Sequence, residues 1–240
     1  MSTINYGIRA RLGMLLPSGN QAAEPQFHAL FPPGVSLHVT RLKLRGSSEP
    51  ELLAMSEGVE AAAALVADTN PQLIVFHCTA VSTYSAELEH SIKARITKTT
   101  GKPATATSEA IVTALRELNA KRIVMLSPYP DHINDREAAY FKGFGFEIVD
   151  SAGLNCQDSD AMMAVTPDDW REFTLRHRAA DADAYLLSCT TVRSAEVAAS
   201  LEQSLGRPVV TSNTATAWHC LRTMGLRDHV HGYGSLLSEH

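Results

Sequence analysis

Two of the four cysteines stand where a thiol can do chemistry. Cys78 follows Leu73-Ile-Val-Phe-His, Cys189 follows Tyr185-Leu-Leu-Ser, and threonine comes next in both cases. A short apolar run that closes on a thiol is the pattern of a buried strand ending there. In open parallel sheets, ligands bind just outside the carboxyl ends of the strands. A helix starting after such a thiol supplies backbone N–H groups that lower its pKa and bind carboxylate oxygens. One sulfur is then expected as a thiolate and the other as a thiol. That pairing sets a nucleophile or base on one face of a substrate and an acid on the other. Cys156 and Cys220 lack this setting and read as the small buried hydrophobes that free cysteines usually are. Asn20, in Pro17-Ser18-Gly19-Asn20, and Tyr129, in Ser127-Pro128-Tyr129, add an amide and a phenol suited to fixing a carboxylate.

Strands must carry these groups to a common edge. Apolar runs at 13–16, 73–77, 122–126, 185–188 and 209–212 alternate with stretches of helical apolar spacing at 51–67, 85–99, 108–118, 168–180 and 194–205. Strands separated by helices of this length build a parallel sheet covered on both faces, the doubly wound α/β class. The chain also repeats. A shift of 111 residues lays Met14, Leu15 and Pro17 on Met125, Leu126 and Pro128, and Cys78, Thr79 and Val81 on Cys189, Thr190 and Val192. Beyond the cysteines the second half is six residues shorter, and Gly101-Lys-Pro then matches Gly206-Arg-Pro. Two similar Rossmann-like lobes follow, each a parallel sheet flanked by helices. The expected division is an N-terminal lobe over 1–115, completed by 222–240, and a C-terminal lobe over 116–221. No Pro-, Gly- or Ser-rich linker separates them, so they should pack tightly, with the thiols facing each other across the cleft.

Composition narrows the partners. The net charge of −5 argues against a nucleic acid, which needs a concentrated basic surface. The triplet Arg41, Lys43 and Arg45 fits a solvated strand face. Residues 1–11 have no apolar run suited to a signal peptide or membrane span, so a cytoplasmic protein with reduced thiols is expected. The ten histidines form no HExxH or comparable cluster, and no metal is expected. Nucleotide-binding fingerprints of the GxGxxG and Walker kinds are missing as well, so a nucleotide cofactor is not expected.

Taken in order and spacing, several motifs resemble the aspartate/glutamate racemase superfamily, in its maleate isomerase and arylmalonate decarboxylase branch. They are Pro17-Ser18-Gly19-Asn20, Cys78-Thr79-Ala80, Ser127-Pro128-Tyr129 with Asn134, Cys189-Thr190-Thr191, and Gly206-Arg-Pro-Val-Val-Thr-Ser-Asn leading to Trp218. The resemblance spans essentially the whole chain. It implies two Rossmann-like lobes, no cofactor, a small carboxylate or dicarboxylate substrate and a homo-oligomer. It further implies that Cys78 adds to one alkene carbon of maleate while Cys189 supplies and recovers the proton at the next. Asn20 and Tyr129 match positions that hold substrate carboxylates, and Thr79, Ala80, Thr190 and Thr191 belong to the binding loops around the thiols. Ser159 stands where the maleate isomerases carry an asparagine, which would alter one carboxylate contact. Arylmalonate decarboxylases carry glycine at the first thiol position, and Cys78 departs from that pattern. Racemisation of a small carboxylate by two-thiol acid–base chemistry, or an arylmalonate-type decarboxylation, is the alternative within the same framework.

Overall fold

Strands buried on both faces are recognisable as unbroken apolar runs, and such runs form the centre of this molecule. The computed structural model describes residues 4–46 and 48–240. Its strands are β1 (Ala10–Pro17), β2 (Val35–Leu42), β3 (Leu73–Phe76), β4 (Ala104–Ala106), β5 (Arg122–Ser127), β6 (Glu147–Gly153), β7 (Ala184–Leu187) and β8 (Val209–Thr211). They form two four-stranded sheets of order β2-β1-β3-β4 and β6-β5-β7-β8, and every pairing within them is parallel. The sequence repeat is therefore a repeat of topology. β3 and β7 are displaced by 111 residues, β4 and β8 by 105.

Strand alternation distributes side chains between two cores, since successive side chains point to opposite faces. Leu12, Met14 and Leu16 of β1 share one core with Ile123 and Met125 of β5. Leu15 shares the other with Val124 and Leu126, and that second core also holds Cys78, Tyr129 and Cys189. Each core thus runs through both halves, which fuses them into one body. The Thr107–Glu117 and Ser212–Thr223 helices pack on each other at the join. Each also crosses to the opposite sheet, the first touching β8 and the second touching β3.

Some expected elements differ. The helix expected over 51–67 breaks at Gly58 into Glu49–Glu57 and Val59–Ala67. Strands β2, β4 and β6 lie outside the five apolar runs, because edge strands are only half covered and β4 is three residues long. In β2, Val35, Leu37 and Val39 alternate with Ser36, His38 and Thr40, which is the signature of a strand with one wet face. Arg41 is not merely solvated. Its guanidinium donates to the carbonyls of Ser18 (3.2 Å) and Asn20 (2.8 Å) and pairs with Glu24, fixing the loop after β1. No helix among the described residues is long and apolar enough to cross a membrane.

The loop after β5 is held from beneath. The Ser127 hydroxyl donates to Asn134 Oδ1 (2.8 Å) and accepts from the Tyr129 amide (3.1 Å), while Asn134 Nδ2 donates to Ser151 (2.6 Å). Gly153 lies directly against this loop, and a Cβ there would meet the Tyr129 carbonyl oxygen at 2.1 Å. Gly153→Ala is therefore expected to cost about 1–3 kcal/mol, as overpacking typically does. Gly143→Ala is the control, with nothing within 4 Å of its added methyl. Urea unfolding should show a lowered midpoint for the first variant and an unchanged or slightly raised one for the second.

Candidate active site

Both cysteines sit just past the ends of the equivalent strands β3 and β7, and they line the same cavity. Pro17, Leu44, Gly46, Leu52, Ala80, Tyr129, Ser159, Met162, Thr190 and Thr191 complete its wall. Its volume is about 30 Å³ by the measure in which one water needs roughly 10–15 Å³. Among the described residues, no Lys, Arg or His side chain lines it. Negative charge in this cavity is met, among those residues, by hydroxyls, thiols and backbone N–H groups.

The local settings of the sulfurs are related but unequal. Cys78 is extended, with φ −151°, and precedes the four-residue helix Thr79–Ser82, whose Val81 and Ala80 amides act on its sulfur. Cys189 has φ +104°, a conformation that L side chains rarely adopt. No helix starts after it, and the next helical turn begins only at Ala195. The expectation of a helix start behind both thiols therefore holds for Cys78 alone. The Thr191 amide nonetheless donates to the Cys189 sulfur (3.3 Å), at the repeat position of Ala80, and the Tyr129 hydroxyl also favours charge on that sulfur. Met162 Sδ lies 3.9 Å from it.

Burial outweighs these donors. Cys78 and Cys189 are 4% and 3% exposed, and desolvation pushes both thiols up to about 12. The expectation that one is a resting thiolate is corrected accordingly, since taking charge out of water costs more than the few N–H and O–H donors around each sulfur return. Burial also pushes the Tyr129 phenol well above its usual value, so it remains a donor.

Three further residues read from the sequence act from different depths. Asn20 is buried behind the wall. Its Oδ1 accepts from the amides of Ala22 (3.0 Å) and Ala23 (2.9 Å), capping the Ala23–Leu30 helix, while its Nδ2 donates to Thr190 Oγ1 (3.0 Å). Thr79 turns away from the cavity and donates to Ser212 Oγ (2.9 Å). Ser159 faces the cavity and ties the first lobe to the second, with its hydroxyl and amide both donating to the Arg45 carbonyl (3.1 Å each). Cys156 and Cys220 lie away from the cavity, the first half-buried and the second in a core.

Other contributors carry little sequence signal. Leu44, Leu52 and Met162 form an apolar wall and look like any core residues in the sequence. Ser212 accepts from Thr79 and from the Cys189 amide (3.0 Å), joining the two thiol loops. His77, just before Cys78, is fully buried between Thr107 (2.9 Å) and Asn213 (2.9 Å), and burial lowers it to about 3, so it is neutral. Asn213 also donates to the Thr190 carbonyl (3.3 Å), a second link between the loops. Among the described residues, no group of three or more His, Cys, Asp or Glu is arranged to hold a metal ion.

This arrangement has relatives. A sequence model of the arylmalonate decarboxylase family matches residues 12–237. A maleate isomerase from Nocardia farcinica is 30% identical over 244 residues, covering 97% of each chain. An arylmalonate decarboxylase from Bordetella bronchiseptica is 29% identical over 165 residues, or 67% of this chain and 69% of its own. The fold matches a cysteine-to-serine mutant of Nocardia farcinica maleate cis-trans isomerase with a covalently bound succinylcysteine intermediate. That match has a TM-score of 0.91 at 23% identity and covers 96% of this chain and 99% of the other. With two parallel four-stranded sheets, paired strand-end thiols and a family match over nearly its whole length, the chain belongs to the arylmalonate decarboxylase family, on the side of the maleate isomerases.

Proposed function

We propose that this protein is a maleate cis–trans isomerase that works through a covalent cysteine adduct. The observation that carries the reading is the presence of two thiols on one small cavity with no cationic side chain. Addition and proton transfer each need one group, and two thiols supply both. A decarboxylase acting through a single thiol leaves Cys78 without a task.

The steps are those that likeness to the maleate isomerases implies. Cys78 gives its proton to solvent and adds as thiolate, forming a C–S bond while the alkene π electrons move to the neighbouring carbon. Cys189 donates its proton there, leaving a succinylated cysteine with a freely rotating C–C single bond. After rotation Cys189 takes the proton back, the C–S bond breaks, the double bond re-forms in the trans arrangement and Cys78 leaves as thiolate. The Val81 and Ala80 amides favour charge on Cys78, and the Tyr129 hydroxyl and Thr191 amide favour it on Cys189. Thr190, Thr191, Ser159 and Tyr129 are proposed to hold the substrate carboxylates. Asn20 acts through Thr190, and Thr79 and Ala80 shape the loop behind Cys78. The lobe division at 1–115 and 116–221 is proposed on sheet membership, with 222–240 tied to the first lobe through Arg9–Asp228 and to the second through Glu202–Ser235. A cytoplasmic homo-oligomer is proposed by likeness to the family, and light scattering of the purified protein tests the assembly.

The thiol variants test the chemistry. Cys78→Ser should abolish turnover of maleate and any adduct, because a serine hydroxyl stays protonated and is a far poorer nucleophile. Cys189→Ser should lower kcat by about 10²–10⁴-fold, the usual worth of a positioned proton donor. That variant should still accumulate protein heavier by one maleate, seen by intact-protein mass spectrometry. Proton NMR in D2O separates the alternatives. Fumarate appearing from maleate supports the isomerase, whereas deuterium entering a chiral acid without any maleate turnover replaces it with a racemase.

A second consequence concerns reactivity at rest. Because burial holds both site thiols near 12, the half-buried Cys156 should react with iodoacetamide first at neutral pH. Peptide mass spectrometry of a time course checks the order, and prior labelling of Cys78 or Cys189 would contradict it.

A further inference from the structure

One buried ionisable group near the thiols has no part in the mechanism above. Glu137 lies on the Asp131–Gly143 helix and is fully buried. Its Oε1 accepts from the Ser188 hydroxyl, while Oε2 is buried with no hydrogen-bond partner among the described residues. Ser188 is the residue before Cys189, and its own amide is fixed to the Leu126 carbonyl (2.7 Å). The Glu137 carboxyl therefore grips the peptide that enters the strained φ +104° conformation of Cys189. Its repeat counterpart at Cys78 is built differently, with neutral His77 in the place of Ser188, hydrogen-bonded among the described residues to Thr107 and Asn213 and to no carboxyl. The carboxyl belongs to one thiol loop only.

A carboxyl with an unpaired buried oxygen is far cheaper to hold protonated than ionised. Burial raises Glu137 to about 7, partly opposed by the Ser188 bond and by Arg136 beside it on the helix. The other titratable groups facing this spot are Cys78, Tyr129 and Cys189, and an ionised Glu137 raises all three. A negative charge at Glu137 thus opposes the thiolate that the proposed reaction needs.

We propose that Glu137 is a positioning residue for Cys189 that also makes thiolate formation in the cavity depend on its own protonation. As a neutral carboxyl it holds Ser188 and leaves the thiols free to ionise in turn, and as a carboxylate it holds them back. The proposal rests on the two thiols being the reacting groups, but its readout needs no substrate.

Alkylation rates of individual cysteines report the thiolate fraction even when that fraction is minute, because only the thiolate reacts. Iodoacetamide rates for Cys78 and Cys189 would be followed by peptide mass spectrometry from about pH 5.5 to about pH 9, bracketing the Glu137 titration. In the natural protein the logarithm of the rate should climb with pH, flatten around neutrality, and climb again. At Cys156 the flattening should be absent. Glu137→Gln removes the charge and should give an unbroken climb. Its rate should match the natural protein at the acidic end and exceed it by about 3–10-fold at the alkaline end. An offset equal at every pH would mean that Glu137 is only structural and would overturn the proposal. So would an unbroken climb in the natural protein, a measurement that holds even if the Gln variant does not fold. Loss of maleate turnover with the flattening intact would overturn the substrate assignment instead.

Discussion

The Ser212 hydroxyl takes hydrogen bonds from the Thr79 hydroxyl and from the Cys189 amide, and through it the two thiol loops share one anchor. Ser212 opens the helix that crosses from the second sheet to the first, so its position is set by the packing of both halves. Asn213, the next residue, links His77 to the Thr190 carbonyl and so repeats the tie one step further in. These bonds lie in the buried interior, where losing one partner leaves the other unsatisfied at a cost of roughly 1–3 kcal/mol. The cavity exists because the halves cannot separate cheaply.

A tightly fused interior decides the electrostatics. Little water reaches the thiols, and the same burial raises Cys78, Cys189, Tyr129 and Glu137 together. A low-dielectric site makes every remaining donor count for more. The Val81, Ala80 and Thr191 amides and the Tyr129 hydroxyl are fixed by backbone and packing, so they need no rearrangement as charge develops on sulfur. The absence of a cationic side chain from the wall fits chemistry in which charge moves between two sulfurs and a substrate. A fixed lysine or arginine there would favour one charge distribution over the rest.

The repeated topology provides two thiol loops, and their local settings make them unequal. Cys78 is extended and leads into a short helix, with a neutral histidine before it. Cys189 is strained and leads into an irregular turn, with a serine held by a buried carboxyl before it. Pseudo-symmetry thus brings the sulfurs to one cavity, and the differences around them give each its own surroundings.

Much of this was legible in the chain. The 111-residue repeat and the apolar runs that end on Cys78 and Cys189 contain the two-lobed architecture and the meeting of the thiols, because strand ends follow from the apolar runs and the repeat puts the two thiols at equivalent ends. The loops at Pro17 and Ser127 were legible for the same reason, and Tyr129, Ser159, Thr190 and Thr191 do reach the cavity. What the sequence could not decide is depth. Asn20 lies one hydrogen bond behind the wall, Thr79 reaches it only through Ser212, Leu44, Leu52 and Met162 form it, and Ser212 and Glu137 arrive from helices far along the chain. Nor could it decide the state of the thiols, since the helix-end donors visible in the sequence lower a pKa while burial, which raises it, is a property of the packed molecule alone. Spacing along a chain fixes which groups reach a sheet edge, and only the closing of one half on the other fixes how much water stays with them.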